Sequence, residues 1–237
     1  MGIDSISRTH VGLRRKVNED SVLVRPEFGL WAVADGMGGH DAGEVASAMI
    51  TNALAKSPPA RDLDAASGWA GSILAKVNAD LIEFARSGDH PRTIGSTVVA
   101  LFIDGDSFRC LWVGDSRAYL LRDGALRRLT RDHSLVQDLV DAGMLAAEDA
   151  ETHPQANVIT RAVGVSGNFS VDTVSGDVRA GDRFLIASDG LTRPVPDAEL
   201  AEELADEPIA IVADRLIELV LARGAPDNVS LVLVEIA

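Results

Sequence analysis

The pattern of apolar segments predicts an α+β fold in which sheet packs on sheet and helices lie outside. Strand-like runs adjoin other strand-like runs and helical segments come in pairs, unlike the regular strand–helix alternation of a parallel sheet. Three apolar runs narrow to a small residue and stop on aspartate: LWAVADG at Asp35, RCLWVGDS at Asp115 and RFLIASDG at Asp189. A fourth is reversed, with Pro226-Asp227-Asn228 opening onto VSLVLVEI. Runs of this length, rich in Val, Leu and Ile and broken by Gly or Asp, read as buried strands. Their aspartates then stand at the rim of the core, and four such rims in a chain of 237 residues imply converging carboxylates. Converging carboxylates repel one another unless a cation sits among them, and hard divalent ions are the usual answer.

From 3 to 34 the chain reads as three strands separated by GLRRKVNED and RPEFG. Residues 42–54 have helical spacing, with Val45, Ala46, Met49, Ile50 and Leu54 on one stripe. After Pro58-Pro59, a long helix over 63–86 places Trp69, Ile73, Val77, Leu81 and Phe84 at core spacing. Strands return at 96–103, 107–113, 118–122 and 125–128; Asp104-Gly105 and Asp123-Gly124 supply hairpin turns, so those two aspartates are turn-formers, not ligands. The segment 134–157 carries a short helix (135–142), Gly143 as its stop and few apolar anchors, and reads as a flap. Strands at 169–174 and 184–187, helices at 197–205 and 209–223, and a strand at 230–236 complete the chain. With no low-complexity linker and no repeat, 1–237 reads as one domain.

A hydrophobic share of 46% supports a large core and excludes intrinsic disorder. The net charge of −14, from 36 acidic and 22 basic residues, argues against a nucleic-acid surface, which needs clustered Lys and Arg. The single cysteine, Cys110, lies in a strand with no base beside it, so it reads as a core residue, and a reducing, cytoplasmic location is expected. No apolar run is long enough to span a membrane, and the N-terminus lacks a signal peptide's basic start and apolar stretch. Met1-Gly2 has the start of a myristoylation signal, but Ile6 stands where Ser or Thr is required.

The residues that carry chemistry fall in short constellations. Arg15 precedes the acidic pair Glu19 and Asp20 in RKVNED, a spacing that a surface ion pair would also satisfy. Asp35-Gly36-Met37-Gly38-Gly39-His40 has more glycine than a turn needs; close backbone approach would let the Gly36 carbonyl ligate an ion. Asp115 sits in VGDSR, Asp189 in ASDG, and Asp227-Asn228 in APDNVS.

Each motif alone is weak, but the ordered set is specific. RxxNED, DGMGGHxAGExAS, GST, VGDSRAYLLRDG, LTRDHS, NVITRAVG, GDRFLIASDGL and PDNVSLVLV resemble the metal-dependent protein phosphatases of the 2C (PPM) family, and the bacterial branch most closely. The resemblance runs from Gly12 to Leu233. It implies a central sandwich of two antiparallel sheets flanked by pairs of antiparallel helices, a four-layer αββα arrangement with the metals at one end between the sheets. It further implies that Asp35 bridges two Mn²⁺ or Mg²⁺ ions, that the Gly36 carbonyl binds one, and that Asp189 and Asp227 complete the other. Glu19 and Asp20 would hold metal-bound waters, Asn228 would orient the ligand beside it, and Asp115 with Asp189 would match the place of a third, weaker ion. Arg15 would grip the substrate phosphate with its planar fork, and His40 resembles the family's proposed general acid, with a metal-bound water as its rival.

Such a centre suits phosphomonoester hydrolysis, one of the slowest uncatalysed biological reactions. Paired ions acidify a bridging water, clamp phosphate oxygens and fix in-line attack, so no Cys or Ser nucleophile is required. All-oxygen ligation favours Mg²⁺ or Mn²⁺ over zinc. The implied activity is dephosphorylation of phosphoserine and phosphothreonine in proteins, opposing a bacterial serine/threonine kinase, by a monomer. A module that binds phosphoproteins without cleaving them would lack a metal aspartate, and none is missing. A P-loop nucleotidase is excluded because GxxxxGK[ST] is absent. The chain departs from the family at Arg193, where an acidic residue is common; this is no metal ligand, but it alters the cleft's charge. Arg14 and Lys16 read as rim charges that steer phosphorylated substrates.

Overall fold

Strands that must bury both faces need apolar side chains at successive positions, which is why the runs are continuous instead of alternating. A computed structural model describes residues 2–38, 42–58, 62–87, 93–205 and 207–237. One sheet holds β1 (Ile3–His10), β7 (Arg117–Arg122), β8 (Ala125–Arg128), β10 (Arg183–Ala187) and β11 (Val229–Ile236), in the order β1-β11-β10-β7-β8. The other holds β2 (Asp20–Arg25), β3 (Leu30–Met37), β5 (Val98–Asp104), β6 (Ser107–Val113) and β9 (Asp172–Asp177), in the order β2-β3-β5-β6-β9, with β4 (Gly95–Ser96) paired to β3. All strand pairings among the described residues are antiparallel.

Three apolar clusters define the layers. Trp31, Val33, Val99, Leu101, Cys110 and Trp112 of one sheet meet Leu120, Phe184, Ile186, Val232 and Val234 of the other. Phe108 and Phe184 cross there edge to face with centroids 5.1 Å apart, which adds about 0.5–1.5 kcal/mol beyond burial alone. The opposite faces carry the helices. Helices α1 (Ala42–Leu54) and α2 (Leu63–Arg86) pack on Ala32, Ala34, Ala100 and Leu111. Helices α4 (Asp189–Thr192), α5 (Asp197–Glu203) and α6 (Ile209–Ala222) pack on Leu185, Ala187, Leu231 and Leu233. The result is the αββα sandwich that the sequence predicts.

Details differ where size misleads. In α1 the buried stripe is Ala42, Gly43, Ala46, Ser47, Ile50, Thr51 and Leu54, while Val45 is exposed. In α2 the seam runs through Ala66, Ala70, Leu74, Val77 and Leu81; Trp69 and Ile73 flank it half-buried, and Phe84 is exposed. Large and small residues share these seams, so position on the helix and not side-chain size decides which residues are buried. The strand expected at 169–174 is instead β9, Asp172–Asp177. Phe169 and Val171 pack on the core from the preceding loop, and the edge strand itself is largely polar. In the segment 134–157, α3 (Leu135–Asp141) is capped by the Ser134 hydroxyl accepting from the Gln137 N–H, and Gly143 follows in the left-handed region.

Candidate metal centre

The acidic residues reach one end of the sandwich because each stands where a strand begins or ends. Asp20 opens β2 and lies directly opposite Asp35 of β3 in the antiparallel ladder. Asp115 follows β6, Asp189 follows β10 and Asp227 precedes β11. A cleft of about 550 Å³ has Arg15, Glu19, Asp35, Gly36, Asp189 and Asp227 in its walls. His40 lies outside the described residues.

The backbone of Asp35 is clamped from β4 and the residue after it. Its carbonyl accepts from the Thr97 N–H (2.8 Å) and the Ser96 hydroxyl (2.9 Å), and its N–H donates to Thr97 Oγ1 (3.1 Å). The GST motif thus fixes the residue on which the centre turns. Gly36 permits close approach: a Cβ there would lie 2.0 Å from the Gly43 carbonyl oxygen and 2.6 Å from that of Glu19. Ser188 joins the two sheets, its hydroxyl donating to Asp20 Oδ2 at 2.9 Å and accepting from the Ser230 N–H at 3.0 Å.

Asn228 is buried, and its role is wider than orienting a neighbouring ligand. Its Nδ2 donates to the carbonyls of Val11 (2.9 Å) and Val17 (3.0 Å), and its Oδ1 accepts from the Glu19 N–H (2.8 Å). It holds the whole loop that carries Arg15 and Glu19. Arg15, half-exposed at the rim, donates from Nη2 to Asp227 Oδ2 at 2.8 Å.

The charges are mutually unfavourable. Burial raises the pKa of Asp35 well above the ordinary carboxylate value, reinforced by repulsion from Asp20, Asp189, Asp115 and Asp227. Burial likewise pushes Asp20 up to about 7 against the lowering effect of its serine partners, and Asp115 up to about 7 with repulsion from Asp189 adding to it. Asp189 is raised by burial and held back by Arg193. Asp20 Oδ1 is buried with no hydrogen-bond partner, a cost that a nearby cation or its water would relieve. Among the described residues no three His, Cys, Asp or Glu side chains close into a ready-made cage. Arg15 engages Asp227, and Arg193 engages Asp189. The donor set nevertheless fits hard divalent cations: it is all oxygen, anionic and desolvated.

Several contributors lay in motifs to which the sequence assigned no role. His133 of LTRDHS accepts the Gly114 N–H on Nδ1 (2.9 Å), which fixes the backbone just before Asp115. Burial lowers its pKa, so the neutral ring that this bond requires is the stable form. Asp132 of the same motif receives a fork from buried Arg117, with Nη2 to Oδ2 at 2.7 Å and Nε to Oδ2 at 3.1 Å. Arg193 enters the centre itself, as only its unusual charge in the ASDGL stretch foretold.

The cleft thus gathers acidic oxygens between two sheets beneath an arginine. The model of the family described as protein phosphatase 2C matches residues 12–230. The serine/threonine protein phosphatase PstP of Mycobacterium tuberculosis is 41% identical over 241 residues, covering 97% of this chain and 44% of that protein. The chain therefore spans less than half the length of that relative. Among solved structures, PppA, a regulatory component of T6SS in Pseudomonas aeruginosa, has a TM-score of 0.89 at 43% identity, covering 98% of this chain and 97% of that one. A PstP catalytic domain in complex with 2 manganese ions has a TM-score of 0.87 at 38% identity, with 98% and 97% covered. This chain belongs to the protein phosphatase 2C family.

Proposed function

We propose that this protein is a serine/threonine phosphoprotein phosphatase that needs two Mn²⁺ or Mg²⁺ ions. The observation that carries the reading is the meeting of Glu19, Asp35, Asp189 and Asp227 in one cleft with Arg15 at its rim. Asp35 and the Gly36 carbonyl would hold one ion, and Asp35, Asp189 and Asp227 the other. Glu19 and Asp20 would orient their waters. When bound, the cations supply a water of lowered pKa as nucleophile and positive charge against the phosphate oxygens.

The chain's own residues do the rest. Arg15 is free to turn from Asp227 to a substrate phosphate once cations neutralise that carboxylate, and its fork matches two phosphate oxygens. Ser96 and Thr97 keep Asp35 from moving as charge develops. The leaving alkoxide takes its proton from His40 or from water. The segment 134–157 acts as a flap beside the cleft, within one domain spanning 1–237. Among the described residues no helix is long and apolar enough to cross a membrane, which suits a cytoplasmic monomer acting on phosphoproteins made by a serine/threonine kinase.

The test is hydrolysis of a phosphothreonine peptide with saturating Mn²⁺. Turnover should vanish with EDTA and in Asp35→Asn or Asp189→Asn, with circular dichroism unchanged, and Asp115→Asn should retain more activity than either. Turnover that survives EDTA, or near-normal rates in the first two variants, would reject the assignment.

A further inference from the structure

We propose that Arg193 is the resident cation of the outer carboxylate pair, so that this chain carries a two-ion centre in which Asp115 is not a metal ligand. The proposal rests on the assignment of Asp35, Asp189 and Asp227 as the metal-binding set. Arg193 Nε lies 2.8 Å from Asp189 Oδ2, and its Nη2 donates to Asp115 Oδ2 at 3.1 Å. One planar guanidinium therefore spans both carboxylates, and Asp115, at 4% exposure, has little water to turn to.

The placement is built into the backbone. Asp189 opens the short α4, and the Arg193 N–H closes that turn on the Asp189 carbonyl at 3.0 Å, so cation and carboxylate belong to the same element. A Mg²⁺ ion shared by Asp115 and Asp189 would need carboxylate oxygens at roughly 2.0–2.1 Å. It would have to compete with the guanidinium for Asp115 Oδ2 and Asp189 Oδ2, against the repulsion of a charge that cannot be shed. Arg193 thus supplies permanently what a soluble third ion would supply only at high concentration.

The same side chain reaches the flap. Its Nη2 donates to the Ala156 carbonyl at 3.3 Å, and Arg117 beside it pairs with Glu151 at 2.7 Å. Asp189 and the flap are therefore joined through a tethered group, and Arg193 acts as a positioning residue for that ligand whatever the ambient metal concentration.

Equilibrium dialysis against millimolar Mn²⁺, with bound metal counted by atomic absorption, tests this on wild type, Asp115→Asn, Arg193→Ala and the Arg193→Ala/Asp115→Asn double variant. The expected counts are two ions per chain in wild type and in Asp115→Asn, a third and weaker equivalent in Arg193→Ala, and its loss in the double variant. A third equivalent in wild type that Asp115→Asn removes would overturn the proposal, as would an Arg193→Ala protein that still binds only two. Should Arg193→Ala fail to fold, the wild-type and Asp115→Asn counts decide alone. A wild-type count of zero would instead reject the metal-binding set on which the proposal rests.

Discussion

Replacing Asn228 should separate the scaffold of the centre from its ligands. The side chain makes hydrogen bonds to the Val11 carbonyl, the Val17 carbonyl and the Glu19 N–H, all between 2.8 and 3.0 Å. Each is worth about 0.5–1.5 kcal/mol net. Val17 is exposed and its carbonyl can regain water, so Asn228→Ala should lose about 2–3 kcal/mol. For a domain of this size that is a fall in Tm of about 4–12 °C, read by thermal unfolding. Asn228→Asp discriminates shape from chemistry. It keeps the volume and the acceptor for Glu19 but turns the donor into a second acceptor facing two carbonyls. It should therefore be at least as destabilising as alanine. Because the loop also carries Arg15, both variants should raise KM for a phosphopeptide more than they lower kcat. An Asn228→Asp protein that melts within about 2 °C of wild type would refute the reasoning.

Two further outcomes follow from buried charge. The metal-free protein should lose stability as pH rises from about 4 to about 7: Asp20 and Asp115, raised to about 7, hold protons in the folded state that the unfolded chain has already released, and Asp35 and Asp189, also raised, act in the same sense. His133, lowered by burial, works in the opposite sense near 6.5 but is one group against four, so melts in EDTA should show Tm falling over that window and Mn²⁺ restoring it most at the alkaline end; a Tm that climbs instead contradicts the placement of these carboxylates. Asp132→Ala should cost about 3–5 kcal/mol in denaturant unfolding, since it strands the buried Arg117 guanidinium, and a loss below about 1 kcal/mol would show that Glu151 alone satisfies it.

The order of strands and helices was legible because both faces of the strands are buried, leaving long apolar runs with turn residues between them. What the sequence obscured were choices between apolar residues of different size. Val45 and Phe84 looked like core, yet both are exposed, while the smaller Ala46, Ala66 and Ala70 take buried positions. β9 was misplaced because Phe169 and Val171 are more hydrophobic than the polar edge strand they precede. In the site, Asp35, Asp189 and Asp227 could be read from strand ends, since a carboxylate after an apolar run has few places to go. Ser188, Thr97, Asn228 and His133 could not be assigned in the same way. They act by hydrogen bonds to backbone groups far along the chain, and no local pattern specifies such partners.

That division has a physical origin. The carboxylates of the site are marked by the cost of placing charge at a core's edge, a cost visible in any sequence. The groups that hold them still are neutral and cost little wherever they stand. Arg193 falls between the two classes: its charge is conspicuous, but its meaning depends on reaching both Asp115 and Asp189 at once. Repulsion among the carboxylates creates the demand for positive charge, and either soluble cations or tethered guanidinium groups can meet it. Near Asp35 the cleft stays open and the demand falls to ions. At Asp115 an arginine on the adjoining turn answers first, and that carboxylate is withdrawn from metal chemistry while the same arginine reaches the flap.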